Sequence, residues 1–155
     1  MKILVIDDDR YIGLLLHEIL TDEGHRIVTA FDGLSGLASF KAESPDLVLL
    51  DVNLPIMNGC EVAREIKDCC VDRFVPVIFL TALSGDQELA KCLDSGGDDF
   101  FIKPFNRTLL EAKLRSWARN IDWINHREGR VKPPVQRFST NVLSLDEIGA
   151  LLQRE

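Results

Sequence analysis

Six residues, placed at the ends of four separate apolar runs, carry the reactive chemistry of this chain. KILVI leads into Asp7, Asp8 and Asp9, DLVLL into Asp51, PVIFL into Thr81 and DFFI into Lys103. If those runs are parallel strands of one sheet, their carboxyl ends share a rim, and that rim is where α/β proteins bind ligands. Carboxylates of this kind suit a hard divalent cation. An ammonium and a hydroxyl beside them suit the oxygens of a phosphoryl group. Each residue alone has a plainer explanation. A single Asp at a strand end is commonly a helix cap, three consecutive acids a solvated turn, and Lys-Pro a loop. Recurrence at four successive strand ends favours a site.

The elements that must position these residues follow from periodicity. Apolar runs at 2–6, 26–30, 46–50, 75–80 and 99–102 alternate with helical patterns. Ile12, Leu15, Leu16, Ile19 and Leu20 repeat at helical spacing. Weaker patterns cover 34–42, 59–69 and 86–95, and a strong one begins near 107. DLVLL and PVIFL lack alternation, as expected of central strands covered on both faces. The reading is α/β: a five-stranded parallel sheet with helices on both faces, for which right-handed crossovers leave few topologies open. Asp9 is placed to cap the first helix and Gly24 to end it, while Gly96-Gly97 closes the fourth.

Composition removes several function classes. With 155 residues the chain suits one domain with a proper core. A net charge of −7 leaves no basic face for phosphate neutralisation, so no nucleic-acid partner is expected. The acidic excess lies before residue 121; beyond it, acids and bases balance. Cys60, Cys69, Cys70 and Cys92 form no CxxC pair, and read as structural thiols of a reducing cytosol. No apolar run approaches the ~20 residues of a membrane span. The chain opens on a strand pattern rather than a signal peptide, so a cytoplasmic location without a membrane partner is expected.

VIDDD, LLDVNLPIMNG, FLTA and FIKPF, in that order and spacing, resemble the receiver domain of two-component response regulators over residues 1–120, which implies a flavodoxin-like sheet in the order 2-1-3-4-5. The resemblance implies Asp51 as phosphoacceptor, with Thr81 and Lys103 contacting the phosphoryl group. It implies Mg²⁺ bound directly by Asp8, Asp51 and the backbone carbonyl of Asn53, and by Asp7 through water. The implied partner is a histidine kinase or histidine phosphotransfer protein. The implied chemistry is self-phosphorylation and self-dephosphorylation only, so the protein is read as a switch and not as an enzyme. Phosphorylation is expected to shift the surface of the fourth helix, fifth strand and fifth helix between two packings. Phe101 falls at the family's switch aromatic, and a cis Lys103-Pro104 bond would aim Lys103 into the site. Asn53 and Leu83, where the family sets phosphate lifetime, point only to hydrolysis that is not exceptionally fast.

The roles are physically sound. A carboxylate can attack phosphorus to form an acyl phosphate, and catalysis of that transfer is mainly positioning and charge stabilisation. A haloacid dehalogenase-type phosphotransferase or phosphatase would share the Asp, Thr, Lys and Mg²⁺. It needs a general acid two residues after the nucleophile, where this chain has Asn53. A flavodoxin would need a phosphate loop where three acids stand. Like charges crowded in the site also imply that neutralising Asp7 or Asp8 raises stability without metal.

Residues 121–155 are read as a helical extension, a linker around Pro133-Pro134 and a short amphipathic tail. Leu110, Leu114, Trp117, Ile121 and Ile124 fall at coiled-coil spacing. Ile121 and Ile124 are expected to be exposed in a monomer, which would make the extended fifth helix a homodimer seam.

Overall fold

The computed structural model describes residues 1–82 and 85–126. Strands β1 (Lys2–Ile6), β2 (Arg26–Ala30), β3 (Leu47–Asp51), β4 (Val77–Thr81) and β5 (Asp99–Ile102) alternate with five helices. These are α1 (Arg10–Asp22), α2 (Gly33–Glu43), α3 (Gly59–Cys69), α4 (Asp86–Asp94) and α5 (Arg107–His126). The strands form one parallel sheet, as the alternation predicts, in the order β2-β1-β3-β4-β5 that the resemblance implies.

Side chains on a strand alternate between faces, and the core divides accordingly. Leu4, Ile6, Val48, Leu50 and Phe79 pack with Phe40 of α2, Val62 and Ile66 of α3 and Cys92 of α4. Ile3, Val5, Leu49, Ile78, Leu80 and Phe101 pack with Leu16 and Leu20 of α1 and Leu110 and Leu114 of α5. All five residues of β3 and of β4 are buried, which explains why neither run alternates.

The punctuation is local. Asp9 Oδ1 accepts from Tyr11 N and Ile12 N at 2.9 and 3.4 Å, capping α1. Asp32 and Asn58 cap α2 and α3 in the same way. Gly24 and Gly96 follow α1 and α4 with φ of 83° and 119°, a backbone that favours glycine. β4 begins at Val77 rather than at 75. Proline has no N–H to give the ladder, and Pro76 contributes only its carbonyl, accepting from Val48 N at 3.0 Å.

One expectation is corrected. Ile121 is only 6% exposed and belongs to the core beneath α1 and α5, while Ile124 is half-buried. α5 continues unbroken and stays on its own body. Phe74 N donates to Asn125 Oδ1 at 3.2 Å, and Asn125 Nδ2 donates to Phe74 O at 3.5 Å. The hydrophobic register therefore continues because the receiver core continues. Trp123 is 45% exposed. Residues 127–155, with the expected linker and tail, lie outside the described residues, as does Leu83.

Candidate functional site

The parallel register brings the sequence-predicted residues to one rim. Asp51 pairs with Leu80 and Thr81 with Ile102 across neighbouring strands. Lys103 N donates to Thr81 O at 2.7 Å, tying the ends of β4 and β5 together. Asp7 N donates to Ala30 O at 3.1 Å, continuing the β1–β2 ladder by one residue. Asp7, Asp51 and Thr81 are buried at 1%, 6% and 0% exposure, while Asp8 faces solvent.

Lys103 crosses the rim to the acids. Its Nζ lies 2.8 Å from Asp7 Oδ2 and 3.4 Å from Asp51 Oδ2. The Lys103-Pro104 bond is cis, as the resemblance implied. Asp7 Oδ1 also accepts from Asp9 N at 2.9 Å, and Asp51 Oδ1 from Asn53 N at 3.1 Å. Asn53 thus enters the site through its amide. Two buried carboxylates share one ammonium, and their charge is not balanced.

That imbalance shows in the titration of Asp51. Burial, followed by the charge of Asp7, raises its carboxyl from the usual range to about 6, against the opposing pull of Lys103. Burial also opposes the charge of Lys103, but its bond to Asp7 and the charges of Asp51 and Asp7 prevail and raise its pKa. Asp7, Asp8 and Asp51 each offer a carboxylate oxygen within 4.8 Å of the others. Three carboxylates against one ammonium form an all-oxygen donor set with excess negative charge, which fits a hard divalent cation.

The loop after β3 is shaped around Asp51. A Cβ on Gly59 would fall 2.2 Å from Asp51 O, so only glycine fits there. Ile56, 92% exposed, adopts φ of 70°. A β-branched residue is strained in that region, and no residue pattern in the sequence announced it. Phe101 packs inward at 4% exposure, with Lys113 Nζ 4.8 Å above its ring. His17 is exposed and takes no part.

Residues 3–115 match the response regulator receiver domain family. The chain is 40% identical over 118 residues to the transcriptional regulatory protein AfsQ1 of Streptomyces coelicolor, covering 76% of this chain and 51% of that protein. It is 40% identical over 130 residues to the response regulator PleD of Caulobacter vibrioides, covering 82% of this chain and 29% of that one. Among solved structures, a two-component response regulator from Clostridium difficile superposes with a TM-score of 0.75 at 29% identity, over 79% of this chain and 98% of that one. The chemotaxis protein CheY4 of Vibrio cholerae superposes with a TM-score of 0.70 at 29% identity, over 74% and 96%. The chain belongs to the response regulator receiver family of two-component signalling. It spans about half or less of the length of these two curated relatives.

Proposed function

We propose that Asp51 is the phosphoacceptor of a phosphorylation-controlled switch. The observation that carries this is a buried carboxylate at the end of the central strand, held 3.4 Å from Lys103 Nζ and grouped with two further acids. With a pKa of about 6, Asp51 is more basic than an ordinary aspartate. It is still roughly nine-tenths ionised at pH 7, as a nucleophile must be. Its oxygen attacks the phosphorus of a phosphohistidine on a kinase or phosphotransfer protein. The P–N bond breaks, the imidazole leaves with the electron pair, and Asp51 becomes an acyl phosphate. Asp8, Asp51 and the Asn53 carbonyl, with Asp7 through water, would hold Mg²⁺, which would supply the positive charge that lets two anions meet. Lys103 transfers its contact from the acids to the phosphoryl oxygens, and Thr81 offers its hydroxyl with Ala82 N–H beside it.

Those movements bias α4, β5 and α5, with Phe101 turning as part of the repacking. Hydrolysis resets the switch, so the chain performs self-directed chemistry and acts on no separate substrate. The receiver motifs fall within residues 1–120, and α5 (Arg107–His126) carries the same core on through Ile121. No helix among the described residues is long and apolar enough to cross a membrane; a cytoplasmic location is part of the proposed reading. A homodimer through α5 and its extension would use exposed Leu109 and Trp123 rather than Ile121.

The test is modification by a small-molecule phosphodonor, read by intact mass, or by beryllofluoride, with and without Mg²⁺. Wild type should gain one phosphoryl group only with Mg²⁺, and Asp51→Ala none. Modification that persists in Asp51→Ala, or is unchanged in EDTA, would refute the assignment.

A further inference from the structure

Between α3 and α4 the thiols of Cys60 and Cys92 lie 3.6 Å apart, and both cysteines are reduced. Cys60 stands half-buried on the first turn of α3; Cys92 is 3% exposed. Their two helices are held very differently. The first turn of α3 is pinned to the acceptor strand, since Gly59 N donates to Val52 O at 2.9 Å and the backbone at Gly59 runs too close to Asp51 O to admit a side chain. Among the described residues of α4, Cys92 alone is buried, and the Gly85 cap of that helix makes no side-chain bond. An element with so few buried contacts is among the first to open or shift.

We propose that Cys60 and Cys92 are a redox modification site, at which peroxide forms an intramolecular disulfide that clamps α4 onto α3. A disulfide brings its sulfurs to about 2 Å. The approach still needed is about 1.5 Å, which a helix anchored through one side chain can supply. Cys60, the more accessible thiol, reacts first. Its sulfur attacks a peroxide oxygen, the O–O bond breaks, and the departing hydroxide takes up the thiol proton as water, leaving a sulfenic acid. The Cys92 sulfur then attacks the Cys60 sulfur, the S–O bond breaks, and the second hydroxide leaves as water with the Cys92 proton. Two thiols and one peroxide give one disulfide and two waters, the sulfurs losing the two electrons that the peroxide gains. Burial, followed by the hydrogen bond shared with Cys60, pushes the Cys92 thiol up to about 12. Burial at 3% exposure shields Cys92 from dissolved oxidant, and the proximity of the Cys60 sulfur offsets its small thiolate fraction in the second step. The clamp would hold α4 against the repacking proposed above. That consequence rests on the phosphoacceptor reading; the bond and the clamp do not.

The experiment oxidises the full chain with hydrogen peroxide, alkylates the remaining thiols and maps the digest by mass spectrometry. The expected result is loss of two of the four thiols and a peptide pair joining Cys60 to Cys92. The pair should be dissolved by a reducing agent, absent in Cys60→Ser and kept in Cys69→Ser/Cys70→Ser. Amide hydrogen exchange across α4 should slow roughly tenfold in the oxidised protein. Asp51→Ala should show the same bond and the same protection, so a failed phosphoacceptor assignment leaves this signature intact. A bond between Cys69 and Cys70, links between chains, Cys60 overoxidised with Cys92 still reduced, or a Cys60–Cys92 bond with unchanged α4 exchange would each overturn the proposal.

Discussion

At the amino end of the sheet, Asp98 pairs with Lys67 and accepts from Val77 N at 2.8 Å. Its neighbour Asp99 takes Lys113 Nζ at 3.2 Å and Trp117 Nε1 at 3.3 Å. At the carboxyl end, Asp7 and Asp51 divide a single lysine, and Asp8 adds a third charge beside them. Burial raises the pKa of both Asp98 and Asp51, so desolvation alone does not mark a site. The difference is in the partners. Each has a cation that opposes the shift and a carboxylate that adds to it, but at Asp98 the Lys67 ammonium outweighs the Asp99 carboxylate, whereas at Asp51 the Asp7 carboxylate outweighs the Lys103 ammonium. Acids with a complete donor set hold a fold together; acids with a shared one are open to a cation and a phosphoryl group.

Removing an acid from the closed end should cost the most. Asp98→Ala leaves Lys67 without its carboxylate and Val77 N–H buried without that acceptor, so urea melts should show a loss of about 2–4 kcal/mol. Phosphoryl uptake should survive wherever the variant remains folded. At the open end the sign reverses. In EDTA at pH 7.5, Asp51→Asn should be more stable than wild type by about 1–3 kcal/mol. The folded carboxyl titrates near 6, above its ordinary value. The stability it contributes is therefore fully present below that ordinary value, and is lost as pH rises through about 6. The gap between variant and wild type should accordingly close on acidification from pH 6 to 4, and a gap independent of pH would break the comparison.

Smaller effects sharpen it. Mg²⁺ at about ten times its dissociation constant should stabilise wild type by about 1.4 kcal/mol, and Asp51→Asn much less, in thermal melts. The smallest change is expected for exposed Asp8. Asp8→Asn should alter metal-free stability by no more than about 0.5 kcal/mol, yet lose most of the Mg²⁺ effect. Asp7→Asn should destabilise, because Asp7 is the partner that Lys103 holds at 2.8 Å. Crowding alone predicts a gain for either substitution; the structure places the penalty on Asp51.

The parallel sheet, helix positions, the caps at Asp9 and Gly24 and the convergence of Asp7, Asp8, Asp51, Thr81 and Lys103 were legible in the chain, while the strand order came with the family resemblance. The reason is physical. Periodicity, capping and turn chemistry act over a few residues, and a parallel sheet with right-handed crossovers turns strand ends into one rim. Ile121 shows the limit: its spacing fits a dimer seam and a continuing core equally well, and the burial against α1 and α5 decides for the core.

By itself, then, the sequence determined which residues stand at the rim and what chemistry their types allow. Only the tertiary structure decided how charge is shared there, that Lys103 bonds Asp7 more closely than Asp51, and that Asp98 is closed while Asp51 is open. The same holds for Cys60 meeting Cys92 and for Asn125 joining Phe74. Such pairings depend on distances of a few ångströms between residues tens of positions apart. Spacing along a chain carries local periodicity, and the packing of helices on the sheet sets the rest.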